Sequence, residues 1–167
     1  MKARPSNALG ATHHDHDLAG NEMRLDRAGL DLVEISVLAV QRSFFQSFAT
    51  PASQSWMHGA DIASDRFGER NGMSIWRAVL AQVQQMRLAR QSCFSFSNPL
   101  CAVCRQVLTA DERQLAFTLK AIRQGRSDWA RTHAMILCEG GEVGPFIQAT
   151  QDLAHLLVMP DRAYAVH

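Results

Sequence analysis

Two cysteines separated by two residues are the side chains of this sequence best suited to chemistry. Cys101 and Cys104 lie within residues 98–104, NPLCAVC, directly after the turn residue Pro99. The two-residue spacer lets both thiolates reach one metal ion, and C-x-x-C commonly supplies two zinc ligands. The same spacing is found in dithiols that cycle to a disulfide. The pair therefore indicates a metal site or a redox-active site.

Two further cysteines complete the set of four in the chain. Cys93 lies eight positions before Cys101, and Cys138 lies thirty-four positions after Cys104. Because zinc favours four soft ligands in a tetrahedron, we predict a structural zinc centre formed by all four thiolates. An iron–sulfur cluster uses the same ligands and stays open as an alternative. Four thiolates leave no position for a substrate, so this centre would join elements of the fold without catalysing a reaction.

The residues next to the pair exclude several kinds of cysteine site. Covalent haem requires a histidine after the second cysteine, where Arg105 stands. A zinc deaminase requires P-C-x-x-C, but Leu100 separates Pro99 from Cys101. A thioredoxin-like site requires a βαβ context that this chain lacks. The alternatives left are a structural metal centre, a thiol-based redox or iron–sulfur sensor in which the pair changes state, and inert thiols.

Motifs of established catalytic sites are missing elsewhere in the sequence. There is no G-x-S-x-G, no H-E-x-x-H and no phosphate-binding glycine loop. His133 and His155 fit surface or partly buried positions better than ligand positions. We therefore predict a non-enzymatic regulatory or adaptor protein, stabilised by zinc, that acts through protein–protein contacts. The partner and the oligomeric state are left open.

Composition indicates one globular domain outside the membrane. The chain has 167 residues, of which 47% are hydrophobic and 20% charged. No run approaches the ~20 apolar residues that a membrane-spanning helix needs, and the first twenty residues lack the apolar core of a secretion signal. We therefore expect a cytoplasmic location, where thiols are kept reduced.

The charge is distributed unevenly along the chain. Residues 66–131 contain eleven basic and four acidic side chains, whereas residues 1–65 and 132–167 each have a net charge of −3. A basic middle region could meet nucleic acid or an acidic partner. The simpler interpretation is that its arginines pair with the acidic flanks of the same fold.

One stretch bears on DNA binding. Residues 108–113, LTADER, followed by Gly125 and Ser127, resemble the start of the LuxR-type helix-turn-helix output domain. This resemblance implies a following recognition helix that carries basic side chains to the major groove. The helix that follows Pro145 has no Lys or Arg before Arg162. A DNA-binding regulator that uses the arginine-rich middle region is therefore the lower-ranked alternative.

Apolar periodicity predicts the elements that must position the cysteines. Residues recurring at i, i+3, i+4 and i+7 indicate an all-α bundle of about six helices. Two three-helix halves flank an irregular C-x-x-C insert. The helices are expected over residues 26–50, 52–67 and 74–91 in the first half. In the second half they start at the capping box Thr109-x-x-Glu112, at Ser127 and at Pro145.

The predicted organisation is a tail followed by one domain. Residues 1–25 read as a disordered tail, in which a His/Asp-rich run at 13–17 could bind metal weakly. Residues 26–160 form the helical domain. Its three parts are the N-terminal helices 26–92, the cysteine insert 93–108 and the C-terminal helices 109–160.

Overall fold

Helices dominate the fold, as the apolar periodicity predicts. A computed structural model describes residues 20–158 together with the backbone of Lys2–Ala3. Most of these residues are helical, so the predicted all-α class is confirmed. The predicted His/Asp-rich run at 13–17 lies outside the described residues. The α-helices are α1 (Leu32–Ala49), α2 (Ser55–Ala89), α3 (Ala110–Arg123), α4 (Ser127–Leu137) and α5 (Gly144–Val158).

Within the described residues, four two-residue strands connect both ends of the insert to the amino-terminal part of the chain. Strand β1 (Lys2–Ala3) pairs in parallel with β3 (Ser95–Phe96). Strand β2 (Met23–Arg24) pairs antiparallel with β4 (Val107–Leu108). Residues 23 and 24 therefore belong to the fold, although the sequence pattern assigned them to the tail. Three short 3-10 helices cover Leu25–Arg27, Pro51–Ser53 and Cys104–Gln106.

Helix α1 begins at a capping box that the sequence analysis did not identify. The Asp31 carboxylate accepts from the Glu34 N–H at 2.8 Å, and the Glu34 carboxylate accepts from the Asp31 N–H at 2.9 Å. These two bonds satisfy amides that the first helical turn leaves without partners. The helix was predicted from residue 26, but a 3-10 turn and Gly29, with φ of 61°, precede it. It ends one residue before Thr50, ahead of Pro51.

Helix α2 is two helical segments that meet at Gly68. This glycine has φ of 80° and ψ of 153°, a left-handed conformation that strongly favours glycine. The two segments fold back on each other, which brings the ring centroids of Trp56 and Trp76 to within 6.3 Å. A Cβ at Gly72 would lie 2.7 Å from the Ser64 Cα, so only glycine fits this close approach. A break is present at residue 68, between the helices predicted over 52–67 and 74–91, but residues 69–73 are helical as well.

The main core lies between α1, α2 and the carboxy-terminal helices, and it includes two residues of the insert. The rings of Phe94 and Phe96 lie 4.3 and 5.7 Å from the ring of Phe45 on α1. All three rings are almost fully buried, so they exclude water from this contact. Phe94 and Phe96 of the insert thus belong to the core.

The C-terminal helices follow their predicted signals. Helix α3 starts at the predicted capping box of Thr109 and Glu112 and ends before Gly125, whose φ is 69°. Helix α4 starts at Ser127, as predicted, and α5 contains Pro145 in its first turn. Within the part of the chain that the structure describes, no helix has the length and apolar character needed to cross a membrane.

Candidate thiol site

The C-x-x-C pair lies on a single turn of backbone. The Asn98 side-chain oxygen accepts from the Leu100 N–H at 2.9 Å, which forms the turn that leads into the pair. The Cys101 carbonyl then accepts from the Arg105 N–H at 3.0 Å. This bond closes a helical turn around the two cysteines. The thiols of Cys101 and Cys104 are consequently held on neighbouring positions of the insert.

Cys104 donates directly toward the sulfur of Cys101. The backbone N–H of Cys104 lies 3.3 Å from the Cys101 Sγ. The Cys104 thiol, and after it this backbone N–H, lower the pKa of Cys101 below its ordinary value. Both side chains are half-buried, and no disulfide joins any of the four cysteines. The arrangement raises the thiolate fraction of Cys101 and places a second thiol beside it, as formation of a disulfide within the pair requires.

The other two cysteines lie in different surroundings. Cys93 is exposed and lines a pocket of about 250 Å³ together with Phe48, Arg87 and Arg90. Cys138 follows the last residue of α4 and is buried in the apolar core. Burial raises the pKa of the Cys138 thiol, and the charge of Arg90 opposes this only in part.

The predicted four-thiolate zinc centre is not assembled in the part of the chain that the structure describes. No group of three or more His, Cys, Asp or Glu side chains among residues 20–158 is placed to hold a metal ion. Cys101 and Cys104 are in direct contact, whereas Cys93 is exposed and Cys138 is buried. The physical reason is that Cys138 packs into the core as a small apolar residue, while Cys93 faces solvent.

A buried ion pair anchors the carboxyl end of the thiol turn. Arg42 of α1 donates to both oxygens of Glu112 of α3, at 2.7 and 2.9 Å. Its remaining N–H groups donate to the carbonyls of Arg105 and Val107, each at 2.6 Å. The side chains of Arg42 and Glu112 are 4% and 0% exposed. One guanidinium thus connects α1, α3 and the two carbonyls that follow Cys104.

Glu112 also holds the residues before the thiol turn. Its carboxylate accepts from the N–H groups of Ser97 and Thr109, at 3.1 and 3.0 Å. The Thr109 hydroxyl donates to the carbonyl of Ser95 at 2.7 Å. The Ser97 hydroxyl donates to the Val107 carbonyl at 2.7 Å, which joins the two ends of the insert. The insert lacks long regular structure, and these side chains supply the partners that its backbone needs.

A second arginine fixes the start of the insert. Arg90 donates to the Leu137 carbonyl at 2.6 Å and to both oxygens of Asp111 at 3.1 Å. The Glu139 carboxylate accepts from the N–H groups of Gln91 and Ser92, at 3.1 and 3.0 Å. Arg90 therefore connects α2, α3 and the end of α4 beside Cys93.

Sequence reasoning did not identify Arg42 or Arg90 as anchors of the insert. The available signal at Arg42 was a charged side chain within a run that is otherwise apolar or neutral, from Val37 to Phe45. A charge in such a position is rarely buried without a partner. The expected pairing of basic and acidic segments is present in part. Arg123 of the basic middle region lies 2.6 and 2.8 Å from the carboxylates of Asp31 and Glu34.

Comparisons with known proteins add no relative to this description. No protein-family model, no curated protein and no solved structure matches the chain.

Proposed function

We propose that this protein is a thiol-based redox sensor in which Cys101 and Cys104 interconvert between a dithiol and a disulfide. The observation that carries the proposal is the 3.3 Å contact from the Cys104 N–H to the Cys101 sulfur. This contact makes Cys101 the attacking sulfur and places its resolving partner three residues away. The protein would act as a non-enzymatic regulator that passes the state of the pair to a protein partner.

The proposed oxidant is a hydroperoxide, with hydrogen peroxide as the simplest member. The Cys101 thiolate attacks the O–O bond, which gives a sulfenic acid and a hydroxide that takes up a proton. The Cys104 sulfur then attacks the Cys101 sulfur and displaces hydroxide, which leaves as water with the Cys104 proton. Two thiols and one peroxide thus give one disulfide and two waters, with two electrons passing from sulfur to oxygen. An external dithiol would reduce the disulfide by exchange.

The firmly held ends of the insert support this proposal. Residues three apart on a helical turn have Cβ atoms about 5–6 Å apart, whereas a disulfide needs about 3.5–4.5 Å. Closing the disulfide must therefore tighten the turn. The carbonyls of Arg105 and Val107 follow the turn directly and are bound by Arg42. Oxidation would consequently shift carbonyls that the buried Arg42 binds, and it would also change the exposed surface of the insert.

The test is peroxide oxidation of a variant that retains only the pair, Cys93→Ser/Cys138→Ser. We expect one intramolecular disulfide between Cys101 and Cys104, detected by mass spectrometry of proteolytic peptides and reversed by dithiothreitol. Cys101→Ser and Cys104→Ser in the same background are the matched controls. Trapping of a sulfenic acid at Cys101 in the Cys104→Ser variant would identify the attacking sulfur. Failure of the pair to oxidise under conditions that oxidise free cysteine would overturn the proposal.

Zinc is the second candidate, in a form that uses the pair alone. Cys101 and Cys104 are both partly accessible, and two adjacent thiolates are half of a tetrahedral site. The other ligands would come from outside the described residues, for example from a second copy of the chain. Metal analysis of the purified protein tests this, with Cys104→Ser expected to lose the zinc and Cys138→Ser to retain it. Visible absorbance in place of zinc would indicate an iron–sulfur cluster.

A further inference from the structure

A pocket between α3 and α4 lies apart from the cysteines and combines aromatic walls with positive charge. It has a volume of about 240 Å³. Phe117 and Ala121 line it from α3, and Trp129 and His133 line it from α4. Lys120 and Arg126 supply its charge. No acidic side chain lines it within the part of the chain that the structure describes.

The aromatic side chains of the pocket are arranged as a connected set. The ring of His133 lies 5.5 Å from Phe117, edge-on, and 6.2 Å from Trp129. His133 Nδ1 lies 2.7 Å from the Gln114 side-chain oxygen, so this nitrogen is assigned the proton. Trp129 is 55% exposed, although tryptophan is a large apolar residue that is usually buried for the most part. An aromatic residue this exposed beside a pocket is typical of a binding surface.

The two cations are available to an incoming anion. The Arg126 guanidinium lies 4.8 Å from the centroid of the Trp129 ring and forms no ion pair among residues 20–158. Lys120 donates to the carbonyl of Gly29 and likewise forms no ion pair with the residues that the structure describes. A carboxylate could therefore bind at this end of the pocket through charge-assisted hydrogen bonds.

We propose that this pocket binds a small anionic aromatic molecule, with one or two fused rings and a carboxylate or a similar acidic group. The ring system would lie against Trp129 and Phe117, and the acidic group would face Arg126 and Lys120. The volume is just below the ~300 Å³ at which pockets begin to hold drug-sized ligands, so the occupant is small. Two uncompensated cations disfavour a cationic ligand. This site is separate from the proposed thiol chemistry, because its lining residues include no cysteine.

The test follows the three tryptophan indole N–H signals by two-dimensional NMR during titration with 2-naphthoate. We expect the Trp129 signal to shift saturably while the Trp56 signal, from a tryptophan that is 44% exposed, stays in place. The neutral isostere 2-naphthamide is the matched ligand control. It should bind about tenfold more weakly because it lacks the charge that pairs with Arg126 and Lys120.

Matched variants separate the pocket from general surface charge. Arg126→Gln should weaken 2-naphthoate binding about fivefold, as expected for one partly exposed ion pair. Arg131→Gln removes an exposed arginine that lies on the same helix outside the pocket, and it should leave binding unchanged. Equal shifts at Trp56 and Trp129, equal affinity for the amide, or equal losses in the two variants would each overturn the proposal.

Discussion

The four thiols show how one residue type acquires different chemistry from its neighbours. The pKa of Cys101 is lowered because the Cys104 thiol and N–H donate toward its sulfur. The pKa of Cys138 is raised because the core disfavours a charged sulfur. Reactivity toward electrophiles follows the thiolate fraction and the accessibility, so these two cysteines should differ strongly.

Alkylation with iodoacetamide at pH 7 measures this difference. We expect Cys101 to react faster than Cys138, which should react only as fast as the protein opens. Cys104→Ala should slow the reaction of Cys101 by about threefold or more, because the thiol that stabilises its thiolate is lost.

Cys104→Ser is the matched control for that substitution. Its hydroxyl can still donate to the Cys101 sulfur, so the rate should lie between those of the unaltered protein and Cys104→Ala. Equal rates in all three proteins would show that Cys104 does not influence Cys101.

Among the elements of the fold, the Glu112 carboxylate has a second role besides capping helix α3. Glu112 was predicted as part of a capping box, and the box is present. The same carboxylate also pairs with Arg42, seventy residues away in sequence. The turn that contains Cys104 is therefore held to α1 and α3 through one buried charge pair. Such a pair stabilises only while both partners are present.

Glu112→Gln should destabilise the protein by about 3–5 kcal/mol, because it leaves the Arg42 charge buried without a counter-charge. The free energy of unfolding in urea measures this. Asp26→Asn, which removes the acidic partner of the exposed pair with Arg24, should cause no measurable change.

A double variant separates two effects of losing this pair: the lost anchoring of the thiol turn, and the cost of burying the Arg42 charge without a counter-charge. Arg42→Met/Glu112→Gln removes both charges and keeps a side-chain oxygen that can accept from the N–H groups of Ser97 and Thr109, so it should recover much of the stability that Glu112→Gln loses. The Cys101 thiol should react more slowly with iodoacetamide than in the unaltered protein. The carbonyls after the turn lose their donor, so the turn holds the Cys104 thiol and N–H less closely against the Cys101 sulfur. A normal rate in this variant would contradict the anchoring role of Arg42.

At the scale of the whole molecule, a buried chain of polar side chains connects three helices. Gln41 of α1 donates to the Gln82 side-chain oxygen on α2 at 2.7 Å. Gln82 donates in turn to the Thr150 hydroxyl on α5 at 3.1 Å. This hydroxyl donates to the Phe146 carbonyl at 2.8 Å. Because these buried hydrogen bonds depend on side chains from three helices, the network helps to set the mutual positions of α1, α2 and α5.

Thr150→Val keeps the shape of the side chain and removes its hydroxyl. We expect a loss of about 1–3 kcal/mol in the free energy of unfolding, because the buried Gln82 amide loses its acceptor. Thr132→Val is the matched control, since the Thr132 hydroxyl makes the same bond to the carbonyl four residues earlier but lies on the surface. Equal effects of the two substitutions would show that the Gln82 contact contributes nothing.

The sequence alone determined the features that depend on residues close together in the chain, namely the helices and their starts. Apolar periodicity located the helices, and Thr109, Ser127 and Pro145 marked their starts to within a residue or two. These signals act between residues a few positions apart, so they can be read without the rest of the fold. The proximity of Cys101 and Cys104 is local in the same sense, because a two-residue spacer forces it.

The tertiary structure decided every feature that depends on distant residues. The helical pattern could not show that Cys138 turns into the core and Cys93 toward solvent, so it could not decide whether four thiols meet. It also could not pair Arg42 with Glu112, or align α3 with α4 to form the aromatic pocket. Residues far apart in sequence come together only through the packing of whole helices, and that packing is a collective outcome of the core.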